Sequence, residues 1–254
     1  MPEAYSQTPI WHYRQGNLET APESMPIVSE HAATLSVNGE PWLTFICSPI
    51  ALEALAIGFL FNENVITSLG EIEGVTFEDD DHRILVQLNH PTQKPAQFHR
   101  TSTGVSLQPH IAARKVGADF SIQAGKVIAL YDQFMAMQTL HDQVGGFHSA
   151  GLSDGESVPI LVEDLGRHNC VDKLTGLYLL QGATFTPRAL LLSGRISSEM
   201  VYKTLALGIP LIVSRTSPTS LAVQIADSTG ITLIGYLRKA QFDIYSHPER
   251  LIAA

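Results

Sequence analysis

Apolar residues change their spacing along the chain, and each change marks an element. Residues 1–25 carry no sustained apolar period and hold prolines at Pro2, Pro9 and Pro22, the pattern of a polar extension. His31–Val37 and Trp42–Cys47 then flank Asn38-Gly39. A type I′ turn needs positive φ at both central residues, which Asn-Gly tolerates, so a hairpin is predicted. Behind Pro49, the residues Leu52, Leu55, Ala56, Phe59 and Leu60 share one face of a predicted helix. Gly74–Phe77 and Ile84–Leu88 predict a second hairpin around the acidic Glu78–His82, a solvated turn. From Asn89 to His110 the period disappears, and a polar stretch of that length is a candidate working segment. A boundary near residue 115 makes residues 26–115 a smaller α+β domain that ends in the loop 89–110.

Residues 116–254 keep a different rhythm. Val127, Leu130, Tyr131, Phe134, Met137 and Leu140 repeat at helical spacing until Gly145-Gly146 stops them. Phe147–Leu152 and Val158–Leu165 bracket the turn residues Ser153-Asp154-Gly155. Helices near Cys170–Leu180, Ser197–Leu207 and Ser220–Ser228 then alternate with strands Ala189–Leu192, Ile209–Ser214 and Ile231–Tyr236. Such alternation predicts an α/β layer on a largely parallel sheet.

Composition narrows the class. With 44% hydrophobic and 16% charged residues, the chain has the apolar content for a sizeable core. A net charge of −9 argues against a broad nucleic-acid or anionic-membrane surface. Its two cysteines, Cys47 and Cys170, stand far apart in no metal or redox spacing, which suits a reducing compartment. The amino end lacks the charged-then-apolar layout of a signal peptide, and the longest apolar stretch, near Ala51–Phe61, is too short for a membrane span. A soluble cytoplasmic protein is expected.

Candidate chemistry sits where the later strands end. Leu161–Leu165 runs into Arg167, Leu190–Leu192 into Arg195, Leu211–Val213 into Arg215, and Leu233–Leu237 into Arg238. Ligands of open α/β sheets bind at the carboxyl ends of strands, where helix amino termini present free N–H groups. Arginine adds forked donors that match phosphate. The competing expectation is that these arginines pair with Glu163, Asp164, Asp172 and Glu199 and only lock loops. His148 and His168 lie beside the same place, and each reads equally as a structural donor or a ligand contact. Ser193, Ser197, Ser198, Ser217 and Ser220 stand outside any Gly-x-Ser-x-Gly elbow, so capping is their default role. No Cys-x-x-Cys or His-x-x-x-His spacing occurs, and no metal site is expected.

Several ordered blocks carry a family resemblance. They are Gly145–Ala150, Glu163–Lys173, Ser193–Met200 and Ser217–Ala222, with Val37–Gly39, Leu55–Leu60, Gly208–Pro210 and Tyr245–Arg250 in support. Over roughly residues 30–250 the chain resembles the FdhD family of formate dehydrogenase accessory proteins. The resemblance implies a carboxyl-terminal cytidine-deaminase-like α/β domain behind the smaller amino-terminal domain, without deaminase zinc chemistry. It also implies a homodimer that takes sulfur from a cysteine desulfurase and passes it to the molybdenum cofactor of formate dehydrogenase. The implied ligand is molybdopterin guanine dinucleotide, or a GDP-like nucleotide. Its segment corresponds to Tyr236-Leu237-Arg238-Lys239-Ala240-Gln241, and His148, Arg167, His168, Ser193, Arg195, Ser217 and Thr219 are candidate contacts.

The chain departs from the family where the resemblance implies a Cys-Gly-x-Cys-Gly core. Thr103 and Ser106 stand at the two cysteine positions around Gly104. A hydroxyl cannot hold a transferable sulfur, because the thiolate is the nucleophile and the carrier. Two readings remain open: a binding and delivery module without its own sulfur chemistry, or a sulfurtransferase working through Cys170 or a partner's thiol. A weaker third is an unrelated enzyme using His148 or His168 as acid or base.

Overall fold

In the computed structural model, which describes residues 3–94, 98–101, 104–107, 115–117 and 119–253, the polar amino-terminal stretch forms ladders. Tyr5–Ile10 (β1) pairs antiparallel with Glu23–Val28 (β4), and between them Tyr13–Arg14 (β2) pairs with Asn17–Leu18 (β3). None of these strands buries a residue fully, so they leave no apolar period in the sequence.

The first predicted hairpin forms from His31–Val37 (β5) and Glu40–Cys47 (β6). Its turn has φ of 49° at Asn38 and 83° at Gly39, as a type I′ turn requires. The helix behind Pro49 runs from Leu52 to Asn62 (α1). Ile72–Glu78 (β7) and Arg83–Leu88 (β8) form the second hairpin. Because β8 also lies parallel to β5, the sheet order is β6-β5-β8-β7. Leu35, Phe45, Ile84 and Val86 of this sheet pack against Leu55, Phe59 and Leu60 of α1. Within the stretch expected to be loop, Phe98–Thr101 (β9) pairs with Gly104–Leu107 (β10).

Ile122–Gln123 (β11) leads into Ala124–Ala136 (α2). The single helix expected through Leu140 divides in two, and Thr139–Val144 forms a separate α3. The Glu163 carboxylate accepts from the Leu140 and His141 N–H groups at 2.8 Å each, so α3 has its own cap. His148–Ser153 (β12) and Ile160–Asp164 (β13) form a hairpin. Arg167–Leu180 (α4), Ala189–Leu192 (β14), Ser198–Ala206 (α5), Leu211–Ser214 (β15) and Ser220–Thr229 (α6) follow in alternation. Thr232–Arg238 (β16) turns into Gln241–Ser246 (β17), and Leu251–Ile252 (β18) returns parallel to β11.

The larger sheet has the order β13-β12-β14-β15-β16-β17. Only β14-β15 and β15-β16 are parallel pairings, so the sheet is mixed where alternation predicts a largely parallel one. The β12–β13 and β16–β17 hairpins turn straight back and need no helical crossover. Leu190 and Leu192 pack with Leu174, Met200 and Ala222 of α4, α5 and α6. Ala189 and Leu191, the alternate residues, pack with Val127, Leu130 and Phe134 of α2. Burial on both faces explains why these strands read as unbroken apolar runs.

The sequence pattern gives α1 one apolar face, yet it is buried nearly all round, because α4 covers the side that the four-stranded sheet leaves open. Two glycines let the helix backbones touch. A Cβ on Gly58 would lie 1.8 Å from Asp172 O, and one on Gly176 would lie 1.9 Å from Ala54 O. Two buried ion pairs flank this crossing. Lys173 Nζ lies 2.5 Å from Asp164 Oδ2 and also donates to Ser48 O, while Lys203 Nζ lies 2.5 Å from Asp172 Oδ1. Burial pulls the Lys203 ammonium pKa down, but Asp172 and then Glu63 outweigh it and hold the pKa above its ordinary value. Such pairs add little over apolar packing, yet removing one partner costs about 3–5 kcal/mol. Among the described residues no helix is long and apolar enough to cross a membrane.

Candidate functional site

Strand direction gathers the four arginines. β12 runs antiparallel to both β13 and β14, and β14, β15 and β16 run parallel, so β13, β14, β15 and β16 all end at one edge of the sheet. Arg167 opens α4 there, Arg195 lies between β14 and α5, Arg215 follows β15, and Arg238 ends β16. His148 opens the opposed strand β12 and so reaches the same edge.

The carboxylates expected to neutralise these arginines are engaged elsewhere. Glu163 caps α3, Asp164 holds Lys173, Asp172 holds Lys203, and Glu199 lies 2.5 Å from His168 Nε2. Among the described residues, Arg167, Arg195, Arg215 and Arg238 form no salt bridge. Arg167 Nε is buried without a hydrogen-bond partner, and so is the hydroxyl of Ser197, the N-cap residue of α5. Burial lowers the Arg167 pKa, the neighbouring Arg195 charge adds to that, and Glu199 opposes it. The imidazole of His148 is pushed below its ordinary value by burial and then by Arg167, which favours the neutral ring.

The loops that carry these groups are laced side by side. Ile196 N donates to Ser217 O, Thr219 N to Ile196 O, and Tyr236 N to Thr216 O. Ser214 Oγ donates to Gly194 O at 2.8 Å. Beneath them Tyr131 of α2 donates its hydroxyl to Leu192 O at 2.9 Å and accepts from Arg215 N at 3.1 Å. Its position in an apolar helical stripe gives Tyr131 no functional signal in the sequence.

The candidate contacts divide by environment. His168 is buried against Glu199, where burial raises the carboxyl pKa and the His168 hydrogen bond and charge bring it below its ordinary value. Ser193 Oγ accepts from Ser149 N, and Thr219 Oγ1 accepts from Ala222 N as the cap of α6. Leu237 is buried in the core beside α2. Ser217 is half-buried in the laced loops. Tyr236 is 44% exposed, and its φ of 51° is left-handed backbone that a bulky residue adopts at a cost. Lys239 and Ala240, also left-handed at 49° and 60°, make the exposed β16–β17 turn, with Arg238 opposite Gln241. Of the two loop positions, Ser106 lies in β10 opposite His99, and Thr103 lies outside the described residues.

Comparison with known proteins sets this geometry in a family. The FdhD/NarQ family profile matches residues 28–252. The chain belongs to the FdhD/NarQ family. An FdhD relative from Staphylococcus aureus (strain MRSA252), named sulfur carrier protein FdhD, is 34% identical over 96% of this chain and 95% of its own. The protein of the same name from Bacillus subtilis (strain 168) is 32% identical over 95% of each chain. A Desulfotalea psychrophila crystal structure described as that of a formate dehydrogenase accessory protein superposes with a TM-score of 0.80. That similarity has 26% identity and covers 98% of this chain and 100% of the other.

Neither cysteine of this FdhD-family chain is placed for sulfur exchange. Cys47 is 0% exposed, and burial pushes its thiol up to about 12. Cys170 is 1% exposed, lies 3.2 Å from His148 O, and is pushed well above its ordinary value by burial and then by Asp164. The thiolate is the reactive form, so both should be inert. Titration with an aromatic disulfide is expected to find no fast-reacting thiol in the native protein and two after unfolding. One fast native thiol would show that a cysteine opens to solvent.

Proposed function

We propose that this protein assists maturation of a formate dehydrogenase by binding the guanine dinucleotide form of the molybdenum cofactor and delivering it, without carrying sulfur on its own thiols. The observation that carries this reading is the gathering of four arginines, which form no salt bridge among the described residues, at the carboxyl edge of the β13–β16 strands. Phosphates suit such an edge, since guanidinium groups donate to them in pairs and the adjoining helix starts offer N–H groups. The names of the relatives support the accessory role. The burial of Cys47 and Cys170 weighs against the sulfurtransferase alternative. A homodimer fits the family, and a cysteine desulfurase is a partner only if a thiol elsewhere takes part.

Calorimetry with GDP tests the edge. Arg195→Ala should weaken binding by about 1.5–3 kcal/mol, the value of one charge-assisted contact. Unchanged affinity in a variant that unfolds at the wild-type urea midpoint would remove Arg195 from the ligand site.

A further inference from the structure

Two unpartnered apolar surfaces lie on this chain, one projecting and one hollow. The projecting one is the amino-terminal arm, residues 3–30, in which no residue is buried. A two-stranded ribbon without a packed face is marginally stable in water by itself. Tyr13 and Leu18 pair across the β2–β3 ladder and so share a face, with Trp11 two positions before Tyr13. Tyr13 is 72% exposed, Leu18 66% and Trp11 58%. Large apolar side chains gathered in the open mark a contact surface.

The hollow surface lies beside β13, an edge strand of the six-stranded sheet. A cleft of about 520 Å³ opens there, and Met137, Leu140, Pro159, Leu161, Leu177 and Gln181 are among its lining residues. Ser149 N and Ser149 O both bond to Ser193 on the β14 side. The main-chain groups of its opposite number Glu163, and by alternation those of Leu161, therefore point away from β12 to the open edge. The other edge strand, β17, is guarded by exposed Gln241 and Asp243 and by two register shifts. β13 has no such guard, because its own Glu163 and Asp164 are buried against α3 and Lys173.

We propose that the arm of one copy of this chain fills the β13 cleft of a second copy, with Trp11, Tyr13 and Leu18 in the cleft and an arm strand hydrogen-bonded along β13, and that the exchange is reciprocal. Two β13 strands cannot pair with each other, since each is the floor of its own cleft between α3 and α4. The occupant must project, as the arm does. Arm and cleft also share a neighbour: β4 touches α3, and Thr139 and Leu140 of α3 line the cleft. A twofold axis beside α3 sets each arm against the other copy's cleft and closes the assembly at two chains. This names the surface of the homodimer that the proposed function includes, and it rests on that part alone.

Sedimentation equilibrium of the full chain tests the pairing. The natural protein should associate to twice its 27.7 kDa. Trp11→Glu with Leu18→Glu in the arm, and Pro159→Glu with Gln181→Glu in the cleft, alter exposed residues only and should keep the wild-type urea midpoint. Each pair should raise the dissociation constant by about thirtyfold or more, as loss of a buried anchor does. An equimolar mixture of the two variants keeps one intact arm facing one intact cleft, and should associate more tightly than either variant alone. In the natural protein the Leu161 amide should exchange with solvent more slowly as rising concentration turns monomer into dimer. Association unchanged by either pair, no gain on mixing, or equal Leu161 exchange in monomer and dimer would overturn the arm-and-cleft pairing and leave the homodimer. A natural protein that stays a single chain would overturn both.

Discussion

Gly176→Ala is expected to destabilise the protein by more than about 3 kcal/mol, beyond the usual cost of overpacking. In an open helix the same change would gain about 0.5–1 kcal/mol, because glycine is the poorer helix former. The contact decides the sign here. The added Cβ would lie 1.9 Å from Ala54 O and 2.7 Å from Ala54 Cα, both backbone atoms of α1 that cannot rotate away. Relief requires α1 and α4 to separate, which would strain the buried Asp172–Asn62 and Asp164–Ser48 hydrogen bonds between the two halves of the chain. Urea unfolding measures the loss. Gly125→Ala is the control, since α2 leaves nothing within 4 Å of that Cβ, and it should shift stability by no more than about 1 kcal/mol. A loss under about 1 kcal/mol for Gly176→Ala would mean that the helices do not cross this closely.

If the protein delivers cofactor without carrying sulfur, as proposed, the natural chain is expected to take up no sulfur and the double substitution Thr103→Cys with Ser106→Cys to label on this segment. A persulfide is passed by thiolate attack on sulfur, and the accepting atom must itself be sulfur to carry it onward. The natural chain has only two thiols, both buried and raised in pKa, whereas the family resemblance places the carrier cysteines at residues 103 and 106. Incubation with a cysteine desulfurase and cysteine, followed by mass spectrometry of peptides, reads the transfer. Labelling of the natural protein at Cys170 would overturn the claim that it carries no sulfur. An unlabelled double variant would show that the segment no longer meets the desulfurase.

Short-range chemistry was open to reading in the sequence. Asn38-Gly39 determines a hairpin by the φ values its two residues tolerate, and the observed 49° and 83° are those values. The alternation after residue 165 determines strands and helices because burial of one helical face, or of both strand faces, leaves its period in the chain. The arginines after four strands were legible for the same reason, each being a fixed number of residues past an apolar run.

What faces what was decided only by the tertiary structure. The β1–β4 ladder left no signal because its residues stay partly exposed, and a ladder needs hydrogen bonds more than burial. The antiparallel β12–β14 pairing, the division of α2 from α3 by Glu163, and the glycine crossing of α1 on α4 join residues more than 20 positions apart. The same holds for the site. Sequence determined that Glu163, Asp164, Asp172 and Glu199 lie near the arginines along the chain, but not that an α3 cap, two lysines and His168 would claim them first. A charge takes the partner that folding brings within reach, and sequence distance does not set that reach.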